Sequence, residues 1–304
     1  MLKRKDLLGL KDVSAEEIME ILNKAREMKK LFSQEVKKIN VLNGKSVCTL
    51  FYENSTRTRT SFDTAAKLLG ASTCAISAST SSIQKGETLI DTGMTLDALM
   101  TDAIIIRHSV AGSPHLLAKN VKAHVINGGD GLNEHPTQAL LDMLTIYNRF
   151  GDFKGLKVVI AGDAKHSRVV RSNLWGLNKM GAKVTVVAPA TLMPFDAERM
   201  GCEVSYNLDE AIEGANVVMG LRLQLERQQA GLFPSAYEYH KYFGITEQRL
   251  AKADSNAILL HPGPINRGLE LSSDAADGES SFILEQVNNG VAVRMAVLEL
   301  LIKG

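Results

Sequence analysis

A cluster of hydroxyl and guanidinium side chains follows the first long apolar run of this sequence. The apolar run 47–52 predicts a buried strand, and the amphipathic run 58–69 predicts a helix. Ser55 and Thr56 therefore fall at a strand-to-helix turn, where free backbone N–H groups and the positive end of the helix dipole favour an anion. Arg57 adds a planar guanidinium that matches phosphate oxygens two at a time. The turn is therefore predicted to bind a phosphate group.

Three further side chains lie where they can contact a carbonyl group. Arg107 follows the strand predicted at 103–106. His135 and Gln138 fall at the start of the helix predicted at 136–147, so that an imidazole and an amide project from one turn. A solvated strand end and an ordinary helix start are the alternative interpretations. Ligands of parallel sheets bind at the carboxyl ends of the strands, so these positions suit a ligand, and the alternatives stay open on the residues alone.

Two arginines mark the second half of the sequence. Arg168 begins the helix predicted at 168–180, where a cation opposes the helix dipole and lowers stability. Residues that break such a local rule are often functional, so Arg168 is a candidate. Arg222 follows the strand predicted at 217–220.

Predicted strands and helices alternate along the chain, which indicates parallel sheets covered by helices. The polar, glycine-containing stretch 151–155 interrupts this alternation. We therefore expect an α/β fold of two doubly wound domains, 1–150 and 151–304, each with a mainly parallel sheet flanked by helices. The final helix, at about 281–301, is long enough to cross back to the first domain. The other predicted elements are helices at 14–28 and 87–100, strands at 71–77, 121–126, 156–161, 183–187, 203–206 and 257–260, and a functional loop at 224–244.

Composition and charge exclude several classes of protein. The 304 residues suffice for two domains, and 35 Lys and Arg nearly balance 34 Asp and Glu, a formal net charge of +1. This balance leaves no large net positive charge that would attract nucleic acid or an anionic membrane. No apolar run is long enough for a signal-peptide core or a membrane helix, so a cytoplasmic protein is expected.

The cysteines and glycines argue against metal and dinucleotide chemistry. Cys48, Cys74 and Cys202 form no Cys-x-x-Cys pair, so we predict three reduced core thiols and no thiolate metal site. The loop 162–167 opens the second half without Gly-x-Gly-x-x-Gly, which disfavours a dinucleotide oxidoreductase. We therefore expect neither a cofactor nor a metal.

Five separated motifs resemble the aspartate/ornithine transcarbamoylase family, in the family's order and over essentially the whole chain. A helix cap with solvated arginines would explain a lone Ser-Thr-Arg, but the full strings are specific. They are Ser-Thr-Arg-Thr-Arg-x-Ser-Phe at 55–62, His-Pro-x-Gln at 135–138, the stretches around Arg168 and Arg222, and His-Pro-x-Pro at 261–264. The sequence departs from the family at Gly263, where larger residues are familiar, and we expect the backbone contact there to survive.

The resemblance implies three groups of residues around carbamoyl phosphate. The phosphate is bound by Ser55, Thr56, Arg57 and Thr58. The carbonyl oxygen is polarised by Thr58, Arg107 and His135. The carbamoyl nitrogen is oriented by Gln138 and by the backbone of Gly263 and Pro264.

The resemblance also implies the acceptor. Arg168 and Arg222 match the family's positions for the two carboxylates of aspartate, with Gln224 assisting. Strings typical of ornithine enzymes, His-Cys-Leu-Pro and Ser-Met-Gly, do not occur in the sequence. The two arginines, together with Lys85, would repel a cationic side chain. We therefore expect carbamoyl transfer to aspartate, the committed step of de novo pyrimidine biosynthesis, with the leaving phosphate taking the amine proton.

One loop of the family belongs to a subunit boundary. Its Ser-x-x-x-Lys-Gly-Glu string corresponds to 81–87, and in the family it enters the active site of a neighbouring subunit of a cyclic trimer. The resemblance therefore implies a homotrimer with shared active sites, in which Ser81 and Lys85 contact substrates bound by a neighbouring chain. Regulatory chains or other chains of the pyrimidine pathway stay open as partners, whereas nucleic acid and membrane are not expected.

The catalytic residues that the resemblance implies are Arg57, Thr58, Lys85, Arg107 and His135.

Two alternatives remain. A transcarbamoylase for another amino acid, such as ornithine, would differ in the acceptor that it accepts. A non-catalytic binding homologue would be expected to have lost part of the set Arg57, Lys85, Arg107 and His135, and the sequence retains all four.

Overall fold

The chain folds into two compact units. The structure is a computed structural model that describes residues 2–77, 86–223 and 235–303. The first unit comprises Met1–Leu144 and Asn288–Gly304, and the second comprises Thr145–Val287.

The first unit is built on a parallel sheet of four strands in the order β2-β1-β3-β4. Its strands are β1 (Ser46–Phe51), β2 (Ser72–Ser77), β3 (Ala103–His108) and β4 (His124–Asp130). The accompanying helices are α1 (Ala15–Lys30), α2 (Thr56–Leu68), α3 (Leu89–Ala98), α4 (Ser113–Ala118) and α5 (Pro136–Phe150), with a 3-10 turn at Leu31–Ser33. Strands β1 and β3 are buried along most of their length, which is typical of parallel sheets and explains their continuous apolar runs.

The second unit is built on a parallel sheet of five strands in the order β7-β6-β5-β8-β9. Its strands are β5 (Lys157–Gly162), β6 (Lys183–Val187), β7 (Glu203–Ser205), β8 (Val217–Leu221) and β9 (Ile258–Leu260). The helices are α6 (Arg168–Lys179), α7 (Leu208–Ile212), α8 (Ala236–Phe243), α9 (Glu247–Leu250) and α10 (Ser273–Asp277), with 3-10 turns at Ala190–Leu192 and Ala197–Met200. Val159, Val187, Val218 and Leu259 belong to one buried apolar cluster on this sheet.

The last helix, α11 (Ile283–Ile302), returns to the first unit. Oε1 of Glu299 lies 3.1 Å from Nζ of Lys24, so α11 packs against α1. The predicted fold class is confirmed: two doubly wound domains, parallel sheets flanked by helices, and a C-terminal helix that crosses back. No helix in the described ranges is both long and apolar enough to span a bilayer.

Strand β4 differs from its prediction at 121–126. It begins at His124 and continues to Asp130, through residues of low strand propensity. Its pairing with β3 extends to Asp130, and the Asn127 side chain accepts a hydrogen bond from the Gly129 N–H at 2.7 Å. Tertiary pairing therefore overrides the local preference for a loop.

The prediction of a loop at 224–244 is wrong for the described residues 235–244, because helix α8 occupies most of them. Ser235 caps this helix by accepting a hydrogen bond from the Glu238 N–H at 3.1 Å, and Tyr239 is its buried residue. The short helices α4, α7, α9 and α10 were not predicted either, because one turn or two are too short for a periodic apolar pattern.

The prediction of three core thiols is wrong for Cys74. Cys48 and Cys202 are buried, but Cys74 is exposed. It lies on β2, which among the described residues is an edge strand paired with β1. An edge position leaves one side of a strand uncovered, and an apolar residue type does not reveal that position.

Candidate active site

The phosphate turn predicted at Ser55 to Thr58 is the first turn of α2, directly after β1. Ser55 is the N-cap, and its Oγ accepts a hydrogen bond from the Thr58 N–H at 3.3 Å. Thr58 is buried, whereas Arg57 is exposed. Neighbouring protein atoms lower the pKa of the Arg57 guanidinium by partly desolvating it. An arginine at the positive end of a helix is a favourable partner for a multiply charged anion.

Arg107 lies beside this turn, on the neighbouring strand. It is the register partner of Phe51, the last residue of β1, and it is the penultimate residue of β3 rather than the first one past it. Nη1 donates to the Gly128 carbonyl at 3.0 Å, and Nε lies 3.3 Å from Oε2 of Glu53. The sequence does not indicate a role for Glu53, since no local pattern signals a carboxylate that holds an arginine of another strand.

His135 is buried at the entrance to α5, and a polar loop holds it there. Oδ1 of Asp130 accepts from Nδ2 of Asn127 at 2.7 Å and from the Glu134 N–H at 3.1 Å. Oε2 of Glu134 in turn accepts from the Leu10 N–H at 2.6 Å. The N-terminal segment therefore fixes the loop that presents the imidazole.

Gln138 lies on the first turn of α5 and is buried. Its Nε2 donates to Oδ1 of Asp142 at 2.9 Å. Asp142 was not predicted as a functional residue, although its position four residues further along the same helix was a usable signal.

The sheet topology brings these residues to one edge of the first unit. Strands β1, β3 and β4 are adjacent and parallel, so their carboxyl ends lie at the same edge. The phosphate turn follows β1, Arg107 lies at the end of β3, and His135 follows β4. Hydrogen-bond donors and positive charge therefore converge at this edge.

The second unit repeats this arrangement with Arg168 and Arg222. Arg168 is buried and begins α6 after β5, and Arg222 directly follows β8, the strand next to β5. Gly162 ends β5 with a φ of +136°, and a Cβ there would lie 2.5 Å from the Leu221 carbonyl oxygen. Only glycine permits this close approach of the two strand ends.

The His-Pro-x-Pro turn follows β9, the next strand of the same sheet. Gly263 has a left-handed φ of +64°, which explains why glycine is tolerated there. Its N–H donates to Nδ1 of His261 at 2.8 Å, so the proton of a neutral imidazole lies on Nε2, which is 3.4 Å from Oε1 of Glu270. The turn is thereby anchored to buried polar groups.

Three predicted site residues, Ser81, Lys85 and Gln224, lie outside the described residues. In the part of the chain that is described, no group of three or more His, Cys, Asp or Glu side chains is placed to hold a metal ion.

Two family models match the chain, one for each half. The carbamoyl-P binding domain of aspartate/ornithine carbamoyltransferase matches residues 5–148. The Asp/Orn binding domain of the same family matches residues 154–301.

Whole-chain relatives agree. The aspartate carbamoyltransferase catalytic subunit of Ruminiclostridium cellulolyticum is 63% identical over 300 residues, which cover 99% of this chain and 96% of the relative. The catalytic subunit of the same name from Acetivibrio thermocellus is 60% identical over 301 residues, covering 99% and 96%.

Solved structures share the fold. Ornithine carbamoyltransferase from Pyrococcus furiosus superposes with a TM-score of 0.87 at 32% identity, covering 99% of this chain and 97% of that one. Aspartate transcarbamoylase from Trypanosoma cruzi, in complex with carbamoyl aspartate and phosphate, gives a TM-score of 0.89 at 31% identity, covering 98% and 96%. The chain therefore belongs to the aspartate/ornithine carbamoyltransferase family.

Proposed function

We propose that this protein transfers the carbamoyl group of carbamoyl phosphate to the amine of L-aspartate, giving N-carbamoyl-L-aspartate and phosphate, as in de novo pyrimidine biosynthesis. The observation that carries the proposal is its identity of 63% over nearly the full length to a protein named aspartate carbamoyltransferase catalytic subunit. The two arginines at adjacent strand ends of the second unit support aspartate as the acceptor.

The first unit binds carbamoyl phosphate in this proposal. The N–H groups of the first turn of α2 and the guanidinium of Arg57 bind the phosphate. Arg107, His135 and the Thr58 hydroxyl donate to the carbonyl oxygen, where negative charge develops during the reaction. Donors that the protein holds in place before reaction stabilise such a charge without reorganisation. Glu53 and the Gly128 carbonyl hold Arg107 in this way.

The reaction is a substitution at the carbonyl carbon. The amine nitrogen of aspartate forms a bond to this carbon, the bond from the carbon to the bridging phosphate oxygen breaks, and phosphate leaves with the electron pair. The amine proton passes to the leaving phosphate. Because an acyl phosphate is already an activated donor, the protein contributes mainly by positioning the reactants and stabilising charge.

The second unit binds the acceptor. Arg168 and Arg222 bind the two carboxylates of aspartate, since a guanidinium matches a carboxylate with two parallel hydrogen bonds. Gln224 assists them, and the backbone of Gly263 and Pro264 accepts from the carbamoyl nitrogen. We place the protein in the cytoplasm as a homotrimer, in which Ser81 and Lys85 complete the site of a neighbouring chain.

Product formation tests the proposal. The purified chain is incubated with carbamoyl phosphate and either L-aspartate or L-ornithine, and the carbamoyl amino acid is measured. We expect product with aspartate and none with ornithine. Product from ornithine alone would contradict the acceptor assignment. Absence of product from both amino acids would contradict the proposed function.

A further inference from the structure

A buried carboxylate and a buried guanidinium lie behind Gln138 in the first unit. The exposed fraction is 8% for Gln138, 0% for Asp142 and 4% for Arg294. Burial lowers the pKa of Arg294 to about 10, and the Asp142 carboxylate opposes this shift. Arg294 is therefore cationic at neutral pH and interacts electrostatically with Asp142 inside the core.

Arg294 belongs to α11 but is held by other elements as well. The central guanidinium carbon lies 5.0 Å from the centre of the Phe62 ring on α2. A Cβ on Gly290 would lie 2.6 Å from Nη1 of Arg294, so this side chain folds back over the glycine of its own helix. A cation over an aromatic face is attracted by the ring, which adds to the electrostatic interaction with Asp142. The returning helix thus delivers a fixed positive charge between α2 and α5.

Asp142 determines the orientation of the Gln138 amide. An ionised carboxylate can only accept hydrogen bonds, so the amide must direct Nε2 towards it. The amide oxygen is then directed away from Asp142, where it can accept a hydrogen bond from a ligand N–H. An uncharged partner that both donates and accepts would permit either orientation. Arg294 supplies a buried cation that interacts electrostatically with the Asp142 carboxylate.

We propose that Asp142 and Arg294 are positioning residues that make the site select a donor with an NH2 group on its carbonyl carbon. Arg294 attracts the Asp142 carboxylate, Asp142 orients Gln138, and the Gln138 oxygen accepts from that NH2 group. The inference rests on the proposed function, in which Gln138 orients the carbamoyl nitrogen. It predicts preference for carbamoyl phosphate over acetyl phosphate, which carries a methyl group in place of NH2.

The test measures binding of three probes to the full-length chain by calorimetry: carbamoyl phosphate, acetyl phosphate and inorganic phosphate. In Asp142→Asn the new amide can donate or accept, so Gln138 is no longer held in one orientation. We expect the preference for carbamoyl over acetyl phosphate to fall about 3- to 10-fold, the effect of about one hydrogen bond. Binding of inorganic phosphate, which has neither group, should stay within about 2-fold of the unaltered chain.

Two further variants separate orientation from folding. Asp142→Asn leaves Arg294 as an uncompensated buried cation, whereas Asp142→Asn/Arg294→Gln leaves no buried charge at the pair and should fold more readily. The double variant should show the same loss of preference. Glu299→Gln is the matched control, since it weakens the attachment of α11 to α1 and keeps Asp142 and Arg294 intact. Its preference should be unchanged.

The outcomes are distinct. An unaltered chain that does not bind carbamoyl phosphate would overturn the proposed function and this inference together. If the unaltered chain prefers carbamoyl phosphate and the folded Asp142 variants keep that preference, only the positioning role is overturned. An equal loss in Glu299→Gln would also overturn it, because the cause would then be helix attachment. Should neither Asp142 variant fold, Gly290→Ala replaces them: its Cβ displaces the Arg294 guanidinium, so the Asp142 carboxylate loses its buried cation, and the same loss of preference is expected.

Discussion

Arg57 and Arg107 lie at the same edge of the first sheet, but the protein holds them differently. Arg107 is mostly buried and contacts both Glu53 and the Gly128 carbonyl, so its guanidinium is fixed before any ligand arrives. Arg57 is exposed on the first turn of α2. In the proposed function Arg107 therefore contributes preorganised charge, whereas Arg57 contributes directly to ligand affinity.

Arg57→Ala is expected to weaken binding of carbamoyl phosphate about 10- to 100-fold, since hydrogen bonds to charged groups contribute about 1.5–3 kcal/mol. Calorimetry with the purified variant measures this effect. Arg26→Ala, which removes an exposed arginine from α1, is the matched control and should bind normally. Equal weakening in both variants would indicate a general charge effect and contradict a specific phosphate contact.

His108 gives the fold a pH dependence with a definite sign. Its ring centre lies 4.4 Å from that of Tyr52, and Nδ1 accepts from the Val110 N–H at 2.9 Å. Burial lowers the His108 pKa below 6.5, against the opposing effect of Glu53 and Asp130. The unfolded chain therefore binds this proton more readily, so the contribution of neutral His108 to stability is present above pH 6.5 and is lost as the pH falls through the lowered pKa.

His108→Asn should reduce this pH dependence, because asparagine keeps an acceptor for the Val110 N–H and does not titrate. Urea unfolding at pH of about 7.5 and about 5.5 measures the difference in the free energy of unfolding. We expect a smaller loss on acidification in the variant than in the unaltered chain. The same loss in both would show that other groups cause the pH dependence.

At the level of elements, Ser55 combines a structural and a binding role. Its Oγ caps α2 at 3.3 Å from the Thr58 nitrogen, and Ser14 caps α1 in the same way at 3.2 Å from the Glu17 nitrogen. Both caps satisfy an N–H group that the helix itself leaves without a partner. Only the Ser55 cap also shapes a turn that is proposed to bind phosphate.

Ser55→Ala and Ser14→Ala should each lower the free energy of unfolding by about 1 kcal/mol, the usual effect of losing a cap. Only Ser55→Ala should also weaken phosphate binding. Chemical unfolding and calorimetry on the two variants provide both measurements. Unaltered phosphate affinity in Ser55→Ala would restrict Ser55 to helix capping.

At the level of the whole molecule, the two units carry separate binding tasks in the proposed function. The phosphate turn belongs to the first unit and Arg222 to the second. Arg222→Ala should raise the KM for aspartate about 10- to 100-fold and leave the affinity for carbamoyl phosphate nearly intact. Arg199→Ala, which removes an exposed arginine of the second unit, is the control. Equal weakening of both substrates in Arg222→Ala would contradict the division.

The proposed trimer predicts that two inactive variants recover activity when they are mixed, which a site built within one chain would not allow. Lys85→Ala and Arg57→Ala chains, each inactive alone, are mixed after dissociation and allowed to reassociate. If Lys85 acts in the site of a neighbouring chain, some sites of a hybrid trimer contain both native residues, and a fraction of the normal activity returns. Hybrid trimers without activity would mean that Lys85 acts within its own chain or has no role.

The sequence by itself determined the fold class and named most of the residues that are proposed for the candidate site. Continuous apolar strands alternating with amphipathic helices predict two parallel sheets, and the strings at 55–62 and 135–138 predict which strand ends bind a ligand. These signals are local, because a turn, a cap or a strand end is defined by neighbours in the chain. The roles of the individual residues remain predictions that the variants above test.

Only the tertiary structure decided which groups hold those residues. Two pairs join residues that are far apart in the sequence: Arg107 with Glu53, and Asp142 with Arg294. The exposure of Cys74 likewise depends on the position of β2 at the edge of the sheet. The order of the strands in each sheet and the return of α11 to the first unit decide which residues meet and which stay exposed. No pattern within a short stretch of sequence reveals these two features.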